Sequence, residues 1–289
     1  MQISLGNTGI TTSTLALGCA RIGSALTPLG RRASIALIEE ACDLGIRHFD
    51  TASIYGQGDS ERYLGAAVQR RRAQVCLASK AGQLLTPKQA ALARLKTPLR
   101  FLAQHFGRLR HRVAQQRERG VPRCFEPDYI ARSLEGSLRR LRTDYLDVFY
   151  LHSPDAGVLQ DAALLESMQK WQRQGRLRAI GVSCDELAVA WAAAKCDAVK
   201  IVQFAFDDSA GSHALLADLS RRGKTAMLRG LMQLSAGGQG PADVLTERFA
   251  RMLSLPALGG VIVGTTSTAH LRQNVAAFHR ATRRGTMQE

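Results

Sequence analysis

GIRHFDTASIYGQGDSERYLGAAVQRRRAQVCLASK, residues 45–80, reads as one β–α–β unit. A short extended run, Arg47–Thr51, is followed by helical spacing over Ser60–Arg70 and then by an apolar strand, Gln74–Lys80. A connection that contains a helix joins its two strands in parallel. The same alternation extends outward in both directions. On the N-terminal side, strand Leu15–Ala20 precedes helix Arg31–Leu44, whose Ile35, Leu37, Ile38 and Ala41 share a face. Before it, residues 2–12 form a turn-rich pair of strands that reverses near GNTG. On the C-terminal side, helix Asp128–Arg142 completes the third unit. Strands Leu146–His152, Leu177–Ser183, Val199–Phe206, Thr225–Arg229 and Gly260–Gly264 then alternate with helices Asp161–Gln174, Asp185–Lys195, Ser212–Arg222, Ala242–Leu253 and Thr268–His279. Gly45, Gly175 and Gly223 stand where left-handed helix ends are expected, and Asp128 and Ser267 where N-caps are.

The strands are nearly all apolar, as a sheet covered on both faces requires. Repeated βα units with no change of composition predict a (β/α)8 barrel spanning residues 1–289 as a single domain, with an N-terminal hairpin. One segment departs from the pattern. Residues 84–123, between the third strand and its helix, are too long for an ordinary βα loop. They carry Lys88, Arg94, Lys96, Arg100, Arg108, Arg110, Arg112, Arg117, Arg119 and Arg123 against a single acid, Glu118. The reading is a basic helical insertion over the active-site end, with Leu99, Phe101, Leu102 or Phe106 lining the pocket or folding over it.

The formal net charge is +15. Such an excess attracts anions, but without interleaved aromatic residues it gives no nucleic-acid signature. No run of about 18 apolar residues predicts a membrane span, and the N-terminus lacks the pattern of a secretory signal. The cysteines form no C-x-x-C pair and sit in apolar stretches, so structural thiols and a cytoplasmic setting are expected. No H-E-x-x-H motif or Cys/His cluster points to a metal. GQG and GGQG are too isolated to indicate a phosphate loop.

In such a barrel, chemistry gathers at the C-terminal ends of the strands. Those ends carry Asp50, Lys80, His152, Ser183, Gln203 and Arg229, with Tyr55 just beyond Asp50. Each has an innocent reading alone; four ionisable groups from three consecutive strands converging on one rim do not. A phenol is a weak acid, with a pKa of about 10. A neighbouring ammonium lowers that value. Lys80 can supply the ammonium and Asp50 can pair with it and aim it. Tyr55 then serves as a general acid toward a developing alkoxide, and neutral His152 donates to the same oxygen.

These residues carry a resemblance. GIRHFDTASIYGQGDSERYLG follows the G-x-R-x-x-D-T-A-x-x-Y-G-x-x-x-S/G-E-x-x-L-G signature of the aldo-keto reductases, and LEGSLRRLRTDYLDVFYLHSPD resembles the family's second block. IGVSC, VQFAF and VIVGTTSTAHLRQN resemble its later blocks more loosely. The resemblance covers roughly Leu5 to Ala277, apart from 84–123. It implies a (β/α)8 fold, NADP (or NAD) bound across the barrel mouth, and reduction of a small aldehyde or ketone. The family tetrad falls on Asp50, Tyr55, Lys80 and His152.

By the same resemblance, cofactor contacts fall on Gly18, Cys19, Asp50, Ser183, Cys184, Gln203, Arg229, Gly264, Thr265, Thr266, His270, Gln273 and Asn274. Cys184 stands where the family usually has Asn. Arg229 replaces an aromatic residue, placed either to stack on the nicotinamide or to reach the pyrophosphate. Gly264, Thr265 and His270 replace the Lys, Ser and Arg of the usual 2′-phosphate grip, with Arg272 a possible substitute. Two other readings remain: a cofactor-sensing subunit of a larger assembly with little turnover, and a barrel lyase using Lys80 as a Schiff base. The arginines of the insertion suggest an anionic substrate; no nucleic-acid or membrane partner is expected, and the oligomeric state is not legible.

Overall fold

A computed structural model describes residues 1–24, 27, 29–84, 121–235 and 240–286. The basic segment therefore lies almost wholly outside the described residues, including Leu99, Phe101, Leu102 and Phe106. Among the described residues eight parallel strands close into a barrel: β3 (Leu15–Gly18), β4 (His48–Asp50), β5 (Cys76–Ala81), β6 (Leu146–His152), β7 (Leu177–Ser183), β8 (Ile201–Ala205), β9 (Thr225–Arg229) and β10 (Leu258–Gly264). β10 pairs with β3, and closure leaves no sheet edge. Helices α1 (Arg31–Asp43), α2 (Asp59–Val68), α3 (Pro127–Leu141), α4 (Ala162–Arg173), α5 (Leu187–Lys195), α6 (Ala210–Arg221), α7 (Pro241–Leu253) and α8 (Thr268–Thr286) alternate with them.

Strand periodicity of two sorts the apolar residues into two layers. Ala16, Cys76, Val148, Ile201 and Met227 fill the barrel interior. Leu17, Phe49, Leu77, Phe149 and Val182 face outward into the layer shared with the helices. The N-terminal hairpin, β1 (Gln2–Ser4) with β2 (Thr11–Ser13), supplies Leu5 and Ile10, which plug the interior at the end opposite the strand C-termini. Their backbones join through Leu5 N–H donating to Ile10 O at 2.8 Å.

Several ends move from the positions expected from sequence. β3 stops at Gly18, with Cys19 N–H still donating to Asp50 O of β4 at 2.8 Å. α3 begins at Pro127, whose fixed φ suits a first helical position; Glu126 precedes it, so Asp128 sits inside the first turn rather than capping it. Ser267 does cap: its Oγ accepts from His270 N–H at 3.4 Å. α5 starts at Leu187, two residues later than expected. α8 continues past His279 to Thr286, with Ala281 buried. Gly45, Gly175 and Gly223 have φ of +89°, +73° and +64°, the left-handed helix ends anticipated. No described helix is long and apolar enough to cross a membrane.

Candidate active site

The inward positions at the strand C-termini form one ring. Register places Gly18 beside Asp50, His152 beside Ser183, Ser183 beside Gln203, and Gly264 beside Gly18. Lys80 is 1% exposed and ion-pairs with Asp50, while its Nζ donates to Thr51 O at 3.0 Å. The other carboxylate oxygen of Asp50 accepts from Gln203 Nε2 at 2.7 Å, and Gln203 Oε1 accepts from Ser183 Oγ at 2.7 Å. One hydrogen-bonded chain thus runs from β5 across β4 and β8 to β7, so a buried charge pair is also satisfied by neutral groups.

Tyr55 enters this ring from the loop after β4. Its backbone N–H donates to Ala52 O at 3.1 Å, opening a tight turn over Tyr55–Gly58. Gly56 has φ +55°, and a Cβ there would stand 2.6 Å from Gly23 O. Only glycine supplies both the left-handed conformation and that close approach. The turn delivers the Tyr55 ring to within 5.2 Å of Lys80 Nζ, centroid to nitrogen, and edge-on to His152 at 5.8 Å between centroids.

Just beyond it, in the first turn of α2, Ser60 and Glu61 lock the turn. Ser60 Oγ donates to Cys19 O at 2.9 Å and shares a 2.8 Å hydrogen bond with Thr51 Oγ1. Glu61 is fully buried, accepting from Ser79 Oγ and from Arg140 Nε, each at 2.6 Å. Neither residue was assigned a role from sequence. The signal was present in the Ser-Glu of the signature, but a glutamate opening a helix ordinarily reads as a solvated dipole partner.

Burial modifies the expected electrostatics. Desolvation raises the Tyr55 phenol above its ordinary range, and the Lys80 ammonium opposes this without reversing it. Lys80 thus acts on the phenol in the expected direction, but burial outweighs it and the net shift is upward. His152 is driven well below the usual imidazole range, first by desolvation and then by Lys80, Arg229 and Arg123, so it is neutral. Its Nδ1 has no partner among the described residues.

Deeper in the barrel, His48 is fully buried, with neither ring nitrogen partnered among the described residues, and burial pushes its pKa down to about 4. An unfolded histidine titrates at about 6.5. The folded state thus refuses a proton that the unfolded state accepts, so stability is complete above about pH 6.5 and is lost as pH falls toward 4. At pH 5 the His48 contribution to this loss is about 2 kcal/mol relative to pH 8. Urea unfolding at the two pH values, compared between the wild type and His48→Gln, measures it; the variant should show the smaller drop.

Lys80 is poorly placed for Schiff-base chemistry, since its amine is buried and already engaged by Asp50 and Thr51 O. Among the residues assigned to cofactor contacts, Ser183 and Gln203 face the barrel mouth. Cys19 and Cys184 have their thiols in the outer apolar layer, and burial raises both thiols, Cys184 to about 12. Cys184 can contribute only main-chain groups at the mouth, and its carbonyl accepts from Arg229 Nη2 at 2.7 Å. Arg229 also reaches Asp185 Oδ1 at 3.3 Å, leaving its Nε buried with no partner among the described residues.

Gly18 and Gly264 lie side by side, and a Cβ on Gly18 would fall 2.9 Å from Ile262 Cγ2. Beyond them, Thr265 is buried, Gln273 and His270 are exposed, and Asn274 is turned inward. Arg272 is held by Glu40 at 2.5 Å, which directs it away from the role of a free phosphate ligand. The glycine cradle, the unpartnered Arg229 Nε and the α8 N-terminus fit a dinucleotide with a phosphate near Thr266 and Ser267.

Fold and site together define a (β/α)8 barrel whose strand ends carry a buried ammonium–carboxylate pair under a phenol and a neutral imidazole. The profile of the aldo/keto reductase family matches residues 14–210, and the chain belongs to that family. Members of the family are oxidoreductases that use NADP(H). The chain is 25% identical to the pyridoxal 4-dehydrogenase of Microbacterium luteolum, over 96% of this chain and 93% of that one. It is 34% identical to the aldo-keto reductase YhdN of Bacillus subtilis, over 62% of this chain and 46% of YhdN. With several such curated relatives the alignment spans about half of their length. The fold matches a Klebsiella pneumoniae aldo/keto reductase solved with NADP and acetate, with a TM-score of 0.66 and 22% identity over 94% of this chain and 88% of that one.

Proposed function

We propose that this protein reduces an aldehyde or ketone to an alcohol with NADPH, using Tyr55 as the general acid. The observation that carries the reading is the stacking of Tyr55 above Lys80 and beside a neutral His152. Bound NADPH supplies a hydride to the carbonyl carbon. The carbonyl oxygen then gains an electron pair and needs a proton. Tyr55 Oη donates that proton, and its raised pKa keeps the proton available at neutral pH until the oxygen becomes basic. The resulting phenolate is stabilised by the Lys80 ammonium, which Asp50 and Thr51 O hold in place. His152, uncharged, offers an N–H to the same oxygen and orients the substrate. The balance is one hydride and one proton added to C=O, with the cofactor oxidised.

Ser183, Gln203 and the main chain at Cys184 orient the nicotinamide, and Arg229 Nε takes the pyrophosphate. NADPH is preferred over NADH through the α8 N-terminus, with no lysine or arginine grip among the described residues. The substrate is a small carbonyl compound, with an anionic group favoured by Arg229 and Arg123 near the mouth. The setting is cytoplasmic. The test is fluorescence titration of NADPH against NADH, followed by consumption of the bound cofactor with a panel of neutral and carboxylate-bearing aldehydes. Saturable NADPH binding with turnover is expected, with a modest preference over NADH, since among the described residues no dedicated cation grips the 2′-phosphate. Tight binding with no turnover on any carbonyl would instead favour a cofactor-sensing role.

A further inference from the structure

A second basic site lies among the outer helices, on residues distinct from those of the barrel mouth. A cleft of about 660 Å³ opens between α1, α2 and α3. Arg31, Arg62, Arg139, Arg140 and Arg142 line it, against one lining carboxylate, Asp59. None of these residues belongs to the ring of strand-end side chains.

The cleft is built rather than incidental. Arg140 is fixed by the fully buried Glu61 through its Nε at 2.6 Å. It runs between Gly58 and Gly136, where a Cβ would come within 2.8 Å of its side chain in either case. Two glycines thus make room for one guanidinium on the cleft floor. Arg62 is braced by Asp59 Oδ1 at 3.0 Å and Gln57 O at 3.4 Å, and Arg142 by Gln69 Oε1 at 3.3 Å. The side chains of Arg31 and Arg139 make no hydrogen bond or ion pair among the described residues. Arg31 also opens α1, whose first turn carries no acidic residue and whose N-cap, Gly30, offers no side-chain acceptor. A cation at that end of a helix is electrostatically misplaced unless an anion joins it.

We propose that this cleft binds an oligophosphate anion, a ligand with at least two linked phosphate groups. Guanidinium forks match phosphate oxygens two at a time. Five of them, brought from three helices, exceed what a single phosphate can engage, and the volume is that of a small-ligand site. Repulsion among the guanidiniums is relieved by such a ligand. The concave shape, with Tyr63 as the one aromatic lining residue and that residue nearly buried, does not suit a nucleic-acid strand, which needs an open track with stacking platforms. The cleft adjoins the catalytic turn: Gln57 and Asp59, both held by Arg62, lie two and four residues beyond Tyr55.

The experiment is isothermal titration of the whole protein with inorganic pyrophosphate, first alone and then with NADP⁺ at saturation. It is repeated on the Arg31→Gln/Arg139→Gln double variant, in which no described pairing is lost. The expected result is stoichiometric binding that persists with NADP⁺ and weakens at least about tenfold in the double variant, as loss of two charge-assisted contacts implies. Sulfate should bind more weakly than pyrophosphate. The proposal is overturned if pyrophosphate gives no binding, if the double variant binds it unchanged, or if NADP⁺ abolishes the isotherm. Should the protein bind no NADP⁺ at all, the reductase reading fails, while the comparison of wild type and double variant still decides this one.

Discussion

Tyr55→Phe is expected to lower kcat for carbonyl reduction by about 10²–10⁴-fold while leaving NADPH affinity unchanged, the range ordinarily supplied by a positioned acid. The substitution removes one oxygen and keeps the ring that packs edge-on against His152 and over Lys80. The Tyr55 hydroxyl has no protein hydrogen-bond partner among the described residues, so its removal orphans nothing. Stability should therefore move little, and the loss should appear in the chemical step. Single-turnover rates with preloaded NADPH, beside a fluorescence titration of the cofactor, check both halves. Full activity in the variant would remove Tyr55 from the reaction.

Lys80→Met should have the largest effect on the fold. Lys80 is 1% exposed and its ammonium neutralises Asp50, itself only 4% exposed. Methionine fills much of the same volume but leaves the carboxylate buried, with Gln203 Nε2 as its remaining side-chain donor among the described residues. Removing one partner of a buried pair costs about 3–5 kcal/mol. Urea midpoints should report a loss of that size at pH 7. Adding Asp50→Leu to Lys80→Met removes the stranded charge, and the double variant should regain a large part of the lost stability. It should not regain turnover, because the phenolate left on Tyr55 still lacks its compensating ammonium. A double variant no more stable than Lys80→Met would show that the pair is not coupled as the geometry requires. Recovered activity would show that Lys80 acts only in folding.

The His48 effect shares this origin. A basic or acidic group in the barrel interior has no water to turn to, so its protonation state is fixed by what surrounds it. For His48 that is an apolar layer, and for Lys80 it is a carboxylate and a carbonyl.

Much of this was legible in the chain. The run of strands and the helices between them gave the barrel, because a strand covered on both faces is buried along its whole length and mostly apolar, as β5 and β6 are apart from Ser79, Lys80, Asp147 and His152. The positions of Asp50, Lys80 and His152 followed from the rule that strand C-termini carry chemistry. Gly56 and Gly58 could be read as a turn, since left-handed backbone needs glycine.

What the sequence could not supply were the relations between residues far apart along it. The spacing of Tyr55, Asp50 and Lys80 suggested an ammonium that acidifies a phenol; only packing revealed that desolvation outweighs it. Cys184 was readable as a replaced cofactor ligand, but the strand alternation that sends its thiol into the outer layer depends on register with β8. Arg272 was free to be a phosphate ligand until α8 docked on α1 and Glu40 took it. The arginine cleft drew residues 31, 62, 139, 140 and 142 from three helices into one concavity, a grouping that no local pattern encodes. Local spacing fixes which elements form and which faces they present, because those preferences are set within a few residues. Burial, charge pairing and cavity shape are sums over neighbours contributed by the whole barrel, so they exist only once it closes.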